Sequence, residues 1–335
     1  MQYQISQAEV VDIHAHIVLL ETMESAGSAG PFISAPGETP PWFKVGEYTL
    51  NGVAYHNSPF TDINLRLQRM DQTGIDFQVV GPNPLTYLHH IAPRDAQAFC
   101  RLHNTGLAAC LPQGKGRLAG FAALPMQDID AALDELDYSI SELGLVGAAI
   151  GTDRPYALYS QAMDRFYQKI TDLNIPLYIH PTTPRSEGRF SDPRFERFDL
   201  DIMLGFTVEE TLSVATLIFG EVLERHPKLD LCVSHGGGAL GFIAGRLAMA
   251  AKKRAWAPAA LKADGAFEEA VQKLWFDTHV HHHASLDLLR QWTNDDRLLF
   301  GTNFSGWDQG MDCREEALHV PVDLAGNARR FLRLT

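Results

Sequence analysis

Residues 10–17 read Val10-Val11-Asp12-Ile13-His14-Ala15-His16-Ile17. Apolar residues surround two histidines two positions apart, the pattern of a buried strand that ends by delivering two imidazoles. Side chains alternate across a strand, so His14 and His16 face the same side, roughly 7 Å apart along it. Two neutral ring nitrogens so placed could share one metal ion. The same pattern also fits a strand with two ordinary polar residues facing water, and the rest of the chain has to decide between them.

The strand belongs to a chain of 335 residues, 45% hydrophobic and 21% charged. This suits a water-soluble α/β barrel of ordinary size with an insertion, read as a single domain over 1–335. A net charge of −13 offers phosphates no basic surface, which argues against a general nucleic-acid partner. Cys100, Cys110, Cys232 and Cys313 are scattered and form no CxxC pair, which points to a reducing compartment, the cytoplasm. The N-terminal residues show no basic region followed by an apolar core, so no signal peptide is expected. No run approaches ~20 apolar residues, so no membrane span is expected.

Working outward, short apolar runs recur at 10–16, 77–82, 118–124, 146–151, 176–180, 229–234, 274–277 and 297–301. Each is bounded by Gly, Pro or polar residues, as parallel strands buried on both faces are. Helix-like stretches lie between them: 62–73 stops at Gly74, 129–143 at Gly144, and 208–224 before His226-Pro227. Eight strand–helix units favour a (β/α)8 TIM barrel over a doubly wound open sheet. No glycine-rich phosphate loop follows the first strand, which weakens a dinucleotide-binding sheet.

Residues 19–60 break the rhythm, with five prolines, several glycines and the pair Trp42-Phe43. They read as an insertion after the first strand, at the C-terminal mouth of the barrel, where it could cover a site. The loop after the fifth strand carries Arg185, Arg189, Arg194 and Arg197 among acidic residues. It reads equally as a solvated loop and as a place where one or two arginines bind a substrate carboxylate.

The strand ends carry the chemistry. The first ends in His14 and His16, the fifth in Tyr178-Ile179-His180-Pro181, the sixth in Ser234-His235-Gly236-Gly237-Gly238. The seventh leads into Asp277-Thr278-His279-Val280-His281-His282-His283, and the eighth ends in Gly301-Thr302-Asn303. Strand C-termini of a barrel converge on one mouth, so these residues would share a site.

The chain resembles the amidohydrolase superfamily, in the branch of 2-amino-3-carboxymuconate-6-semialdehyde decarboxylase and related aromatic-degradation decarboxylases, hydratases and C–C hydrolases. VDIHAH, YIHP, the long run from ETLSVATLIFG through LCVSHGGG to FIAGR, and RLLFGTN carry the resemblance over almost the whole chain. It implies that His14, His16 and His180 ligate one divalent metal, Zn2+ with Mn2+ as the alternative, and that His235 beside it is a general acid or base. It also implies that Gly236, Gly237 and Gly238 let the backbone pass close to substrate, that Arg246 helps hold the substrate carboxylate, and that the chain is a homodimer. Position 303 departs from the pattern: the decarboxylases have Asp there and hydratases Glu. Asn303 can still ligate through its amide oxygen but carries no charge and takes no proton. Asp308, five residues on, is the alternative carboxylate. His281 is aligned near the site, His89 and His90 resemble a pair in the hydratases, and Trp42 with other aromatics suits a planar anionic small molecule.

The resemblance therefore implies a metal-dependent decarboxylase of an aromatic or unsaturated carboxylic acid. A second reading, which Asn303 keeps open, is a C–C bond hydrolase of ring-cleavage products or a hydratase. A third, supported by Asn303 alone, is a barrel that has lost its metal and serves as a non-catalytic protein.

Overall fold

The computed structural model describes residues 3–153, 155–182, 193–195 and 197–334. From the N-terminus the strands and main helices are β1 (Val11–Ile17), β2 (Pro31–Ile33), β3 (Trp42–Val45), β4 (Tyr48–Asn51), α1 (Ile63–Thr73), β5 (Phe77–Pro82), α2 (Pro93–Cys110), β6 (Leu118–Ala123) and α3 (Ile129–Ser141). There follow β7 (Gly147–Gly151), α4 (Gln161–Asp172), β8 (Leu177–His180), α5 (Phe206–Phe219), α6 (Val222–Arg225), β9 (Leu231–Val233) and α7 (Leu240–Lys253). The chain ends with α8 (Ala266–Val271), β10 (Trp275–Asp277), α9 (His283–Arg290), β11 (Leu298–Leu299), α10 (Cys313–His319) and α11 (Leu324–Leu332).

β1, β5, β6, β7, β8, β9, β10 and β11 form one parallel sheet in that order. Ile13 N donates to Phe300 O at 3.0 Å and Phe304 N to His14 O at 3.2 Å, which joins the last strand to the first. The result is the (β/α)8 barrel expected from the eight apolar runs. Side chains inside the barrel, such as Ile13, Phe121, Tyr178 and Leu299, form one core; a larger one lies between strands and helices.

The register between β1 and β5 shifts between Asp12 and Ala15. Before the shift Val11 and Ile13 face the barrel interior; after it Ala15 and Ile17 pack on the helical layer. Such a bulge re-aims side chains. It turns His14 and His16 inward while Asp12 stays between strand and helix, accepting from Gln78 Nε2 and Thr302 Oγ1, each at 2.8 Å.

The helix ends follow local chemistry. Asp62 caps α1 by accepting from Asn64 N at 2.7 Å, and Gly74 ends it in a left-handed conformation. The expected helix at 208–224 differs: α5 starts at Phe206, extends a π-helical turn (Asp201–Gly205), and breaks at Gly220 and Glu221 before α6. Asp201–Phe219 is 19 residues long with mean hydropathy 1.5, long and apolar enough by length and composition alone to cross a membrane, although Asp201, Glu209 and Glu210 interrupt its apolar run. Here it is a helix of the barrel wall, with Val214, Leu217 and Ile218 in the core and Glu210 turned toward the barrel mouth.

The insertion at 19–60 folds as a three-stranded antiparallel sheet, β2-β3-β4. Phe43, Val45, Tyr55 and Phe60 pack with Val18, Leu88 and Phe99 into a small core of their own. This seats the insertion beside the barrel mouth.

Candidate active site

Strand β1 delivers His14 and His16, and β8 delivers His180, all buried. Their potential ligand atoms lie within 4.8 Å of one another. Each ring is fixed through Nδ1: His14 donates to Asp277 Oδ2 at 2.9 Å, His16 to Pro82 O at 3.0 Å, His180 to Pro181 O at 2.6 Å. Burial, with the neighbouring imidazoles, lowers the pKa of His14 and His180, and burial takes that of His16 down to about 3. The rings are therefore neutral, and with Nδ1 protonated each Nε2 presents a lone pair. His16 Nε2 has no hydrogen-bond partner, and the Nε2 atoms of His14 and His180 face each other at 3.1 Å. Buried acceptors rarely meet without a donor. A divalent cation satisfies all three, and Nδ1 bonds to carboxylate or carbonyl are how metal-binding histidines are oriented. The residues fit a metal. Asp277 is tied in turn by Tyr178 Oη at 2.8 Å.

His235 follows β9, its ring centroid 4.7 Å from that of His14 and 5.2 Å from that of His180. Its Nδ1 donates to Glu210 Oε1 at 2.5 Å, and Ser234 Oγ donates to the same oxygen at 2.5 Å. Burial alone would lower the His235 pKa. The Glu210 carboxylate, with Asp277 and Asp308 behind it, overrides burial and pushes it up to about 9. Glu210 thus favours the protonated form of this imidazole, while its three neighbours are held neutral. Glu210 was not legible in the sequence: it is one of two adjacent acids on an apolar helix, and nothing at that position marks its partner 25 residues away.

Gly236 and Gly238 border the cavity, and the three glycines after His235 also have a packing role. Gly236, Gly237 and Gly238 all have positive φ, and a Cβ on Gly238 would lie 2.2 Å from Thr207 O of α5. A Cβ on Gly236 would meet Val280 and Leu289. The turn packs against neighbouring protein, which excludes side chains there.

A second group stands beside the first. His279 Nε2 lies 3.0 Å and His281 Nε2 3.5 Å from Asp308 Oδ2, while Asn303 Nδ2 donates to Asp308 Oδ1 at 2.8 Å. Asn303 thus turns its amide to Asp308, and Asp308 groups with His279 and His281 rather than with the three-histidine set.

Both groups open into one cavity of about 910 Å³. His16, His180, Glu210, His235, His279, His281, Asn303 and Asp308 line its polar end; Tyr48, Leu50 and Phe60 of the insertion, with Phe206 and Leu288, line the apolar part. Arg69 of α1 is the arginine on its wall among the described residues, and the sequence reading missed it. Four expected substrate residues lie elsewhere. Arg246 is exposed on α7, off the cavity wall, because its helix turns that side outward. Trp42 donates through Nε1 to Glu38 Oε1 at 2.8 Å. His89 is buried on Asp153 at 2.8 Å, and His90 is exposed. Arg185 lies outside the described residues.

Comparison with known proteins agrees with the barrel fold. A 2-amino-3-carboxymuconate-6-semialdehyde decarboxylase of Dictyostelium discoideum is 27% identical over 244 residues, 72% of this chain and 66% of its own length, so slightly less than two thirds of that relative is spanned. A gamma-resorcylate decarboxylase of a Rhizobium species is 27% identical over 80% of this chain and 86% of its own length. Among solved structures, the IDCase of Metarhizium anisopliae in apo form superposes with a TM-score of 0.79 at 20% identity, covering 98% of each chain. A dihydroxybenzoic acid decarboxylase from a Polaromonas species, with bound manganese and the inhibitor 2-nitroresorcinol, gives 0.74 at 21% identity, covering 100% of this chain and 98% of the other. The sequence also matches the amidohydrolase family over residues 11–334, barrel strands and the histidines at their ends included, and the chain belongs to that family.

Proposed function

We propose that this chain is a metal-dependent carboxy-lyase acting on a small aromatic or unsaturated carboxylic acid. One observation carries the reading: three Nε2 lone pairs converge beside His235, whose Nδ1 is held by Glu210, at the end of a largely apolar cavity. His14, His16 and His180 would hold a divalent ion, zinc by donor set with manganese as the alternative, whose positive charge draws electron density from the substrate. The remaining steps belong to the chain's own residues. Glu210 holds Nδ1 of His235, which leaves Nε2–H free to donate. When the bond between carbon and carboxylate breaks, CO2 leaves, its electron pair stays on the carbon, and the His235 Nε2 proton goes there. The apolar walls favour turning a carboxylate into neutral CO2.

The relatives named above are decarboxylases, which supports this reading over C–C hydrolysis. Asn303 favours the second reading, a hydratase or C–C hydrolase, because an amide replaces a proton-carrying group at a cavity wall. Products separate the two. Metal-loaded protein should release CO2 from aromatic or unsaturated acids and, in D2O, leave one deuterium on the vacated carbon. Incorporation of water without CO2 would overturn the decarboxylase reading. Four free cysteines suit a reducing compartment, for which we take the cytoplasm. Exposed Met203, Leu204, Leu212, Phe242 and Met249 on α5, α7 and the π-helical turn suit a homodimer, as the resemblance implies.

A further inference from the structure

The second histidine group has features that a plain hydrogen-bond cluster does not need. Val280 N donates to Thr278 O and His282 N to Val280 O, each at 2.8 Å. These are two successive γ-turns, with His279 and His281 at their centres. His281 has φ +60, the rare and strained form of that turn. Across from it, Asn303 (φ +47) and Ser305 (φ +62) are also left-handed without being glycine. Asparagine enters this region readily, but His281 and Ser305 do not, and such residues persist where surrounding structure imposes them, commonly at ligand sites.

The strain turns both imidazoles to one carboxylate oxygen. Asp308 Oδ2 takes His279 Nε2 at 3.0 Å and His281 Nε2 at 3.5 Å, while Asn303 clamps the other oxygen at 2.8 Å. The clamp fixes the carboxylate so that Oδ2 is the oxygen presented. The three donor atoms lie within 4.8 Å of one another and border the cavity. His281 keeps about half of its side chain exposed, which leaves an entry path. Two imidazoles and one carboxylate with open positions are a donor set that holds zinc-class ions.

We propose that His279, His281 and Asp308 form a second divalent-metal site, separate from the three-histidine centre and opening into the same cavity. It stands independently of the decarboxylase reading. The ring of His279 lies 5.6 Å from those of both His14 and His235, so an ion there would face the same bound molecule.

The test is cobalt binding to chelator-stripped full-length protein by equilibrium dialysis, with bound metal counted by elemental analysis and the visible cobalt bands recorded. Wild type should bind about two equivalents, because each site is built from its own ligands. His281→Ala should bind about one and lose one set of bands; His180→Ala should bind about one and lose the other set. His281→Gln, which keeps a polar group at this half-exposed position, controls for misfolding and should also bind about one. Saturation of wild type at one equivalent that His180→Ala removes, or cobalt uptake in His281→Ala equal to wild type, would show that the group is a hydrogen-bonded cluster only. One equivalent that His281→Ala removes and His180→Ala leaves would instead break the three-histidine reading and leave this one standing.

Discussion

Two histidine groups share one cavity, and they are built in opposite ways. His14, His16 and His180 stand at the ends of barrel strands, buried, each with Nδ1 pinned and Nε2 left without a donor. His279 and His281 stand in a strained loop, and their Nε2 atoms face a carboxylate. The first arrangement is rigid and electrostatically incomplete. The second is satisfied as it stands but held under backbone strain. A group whose lone pairs converge without protons needs a cation for its stability; one that already has a carboxylate only accepts a cation. Metal affinity should therefore be high at the strand ends and lower in the loop.

The largest effect that would sharpen this contrast is removal of a strand-end ligand. His180→Ala should take activity and the tightly bound ion together, lowering bound metal by about one equivalent in elemental analysis. Retained metal with lost activity would mean that the three imidazoles do not act as one site. Next comes His235→Ala, which should lower kcat by about 10²–10⁴-fold while the ion stays. An emptied site in that variant would make His235 a ligand rather than the proton donor. Smaller again is Asp277→Asn, which weakens the Nδ1 bond that orients His14. Metal affinity should fall about 10–100-fold in a competition titration, with the fold intact by circular dichroism. An unchanged affinity would show that the strand alone aims the ring.

The smallest effect concerns a buried histidine outside both groups. His103 on α2 is buried, and burial lowers its pKa to about 4. The unfolded chain takes up a proton near pH 6.5 that the folded chain refuses until about pH 4. Stability is thus fully present above pH 6.5 and declines between those values, by up to roughly 3 kcal/mol. His103→Leu should flatten the fall of Tm between pH 7 and pH 4.5 (the window set by these pKa values). An unchanged slope would assign acid sensitivity to the strand-end group instead.

The fold was legible because parallel strands buried on both faces read as short apolar runs, and all eight fall where those runs lie. The insertion at 19–60 showed as a broken rhythm, but its three strands of three or four residues, interrupted by Pro and Gly, gave no strand signal. The strand-end histidines were legible because period-two spacing survives after the β1 bulge. Ahead of the bulge the period fails: it would place Asp12 beside His14, and the register shift puts it in the outer layer. Glu210 and Arg69 were not legible, because a helix shows which residues are polar and not which of them reach over a strand end. Arg246 illustrates the same limit in reverse, a basic residue assigned toward the site on a helix that presents it to solvent.

The central claim is that His14, His16 and His180 hold a divalent ion by themselves. Elemental analysis of His281→Ala beside the double variant His281→Ala/His180→Ala, both purified without chelator, tests it most directly. About one equivalent in the first and under about a tenth in the second is the predicted result, because only the strand-end site then remains to be removed. Equal metal in both variants, or none in His281→Ala, would contradict the claim.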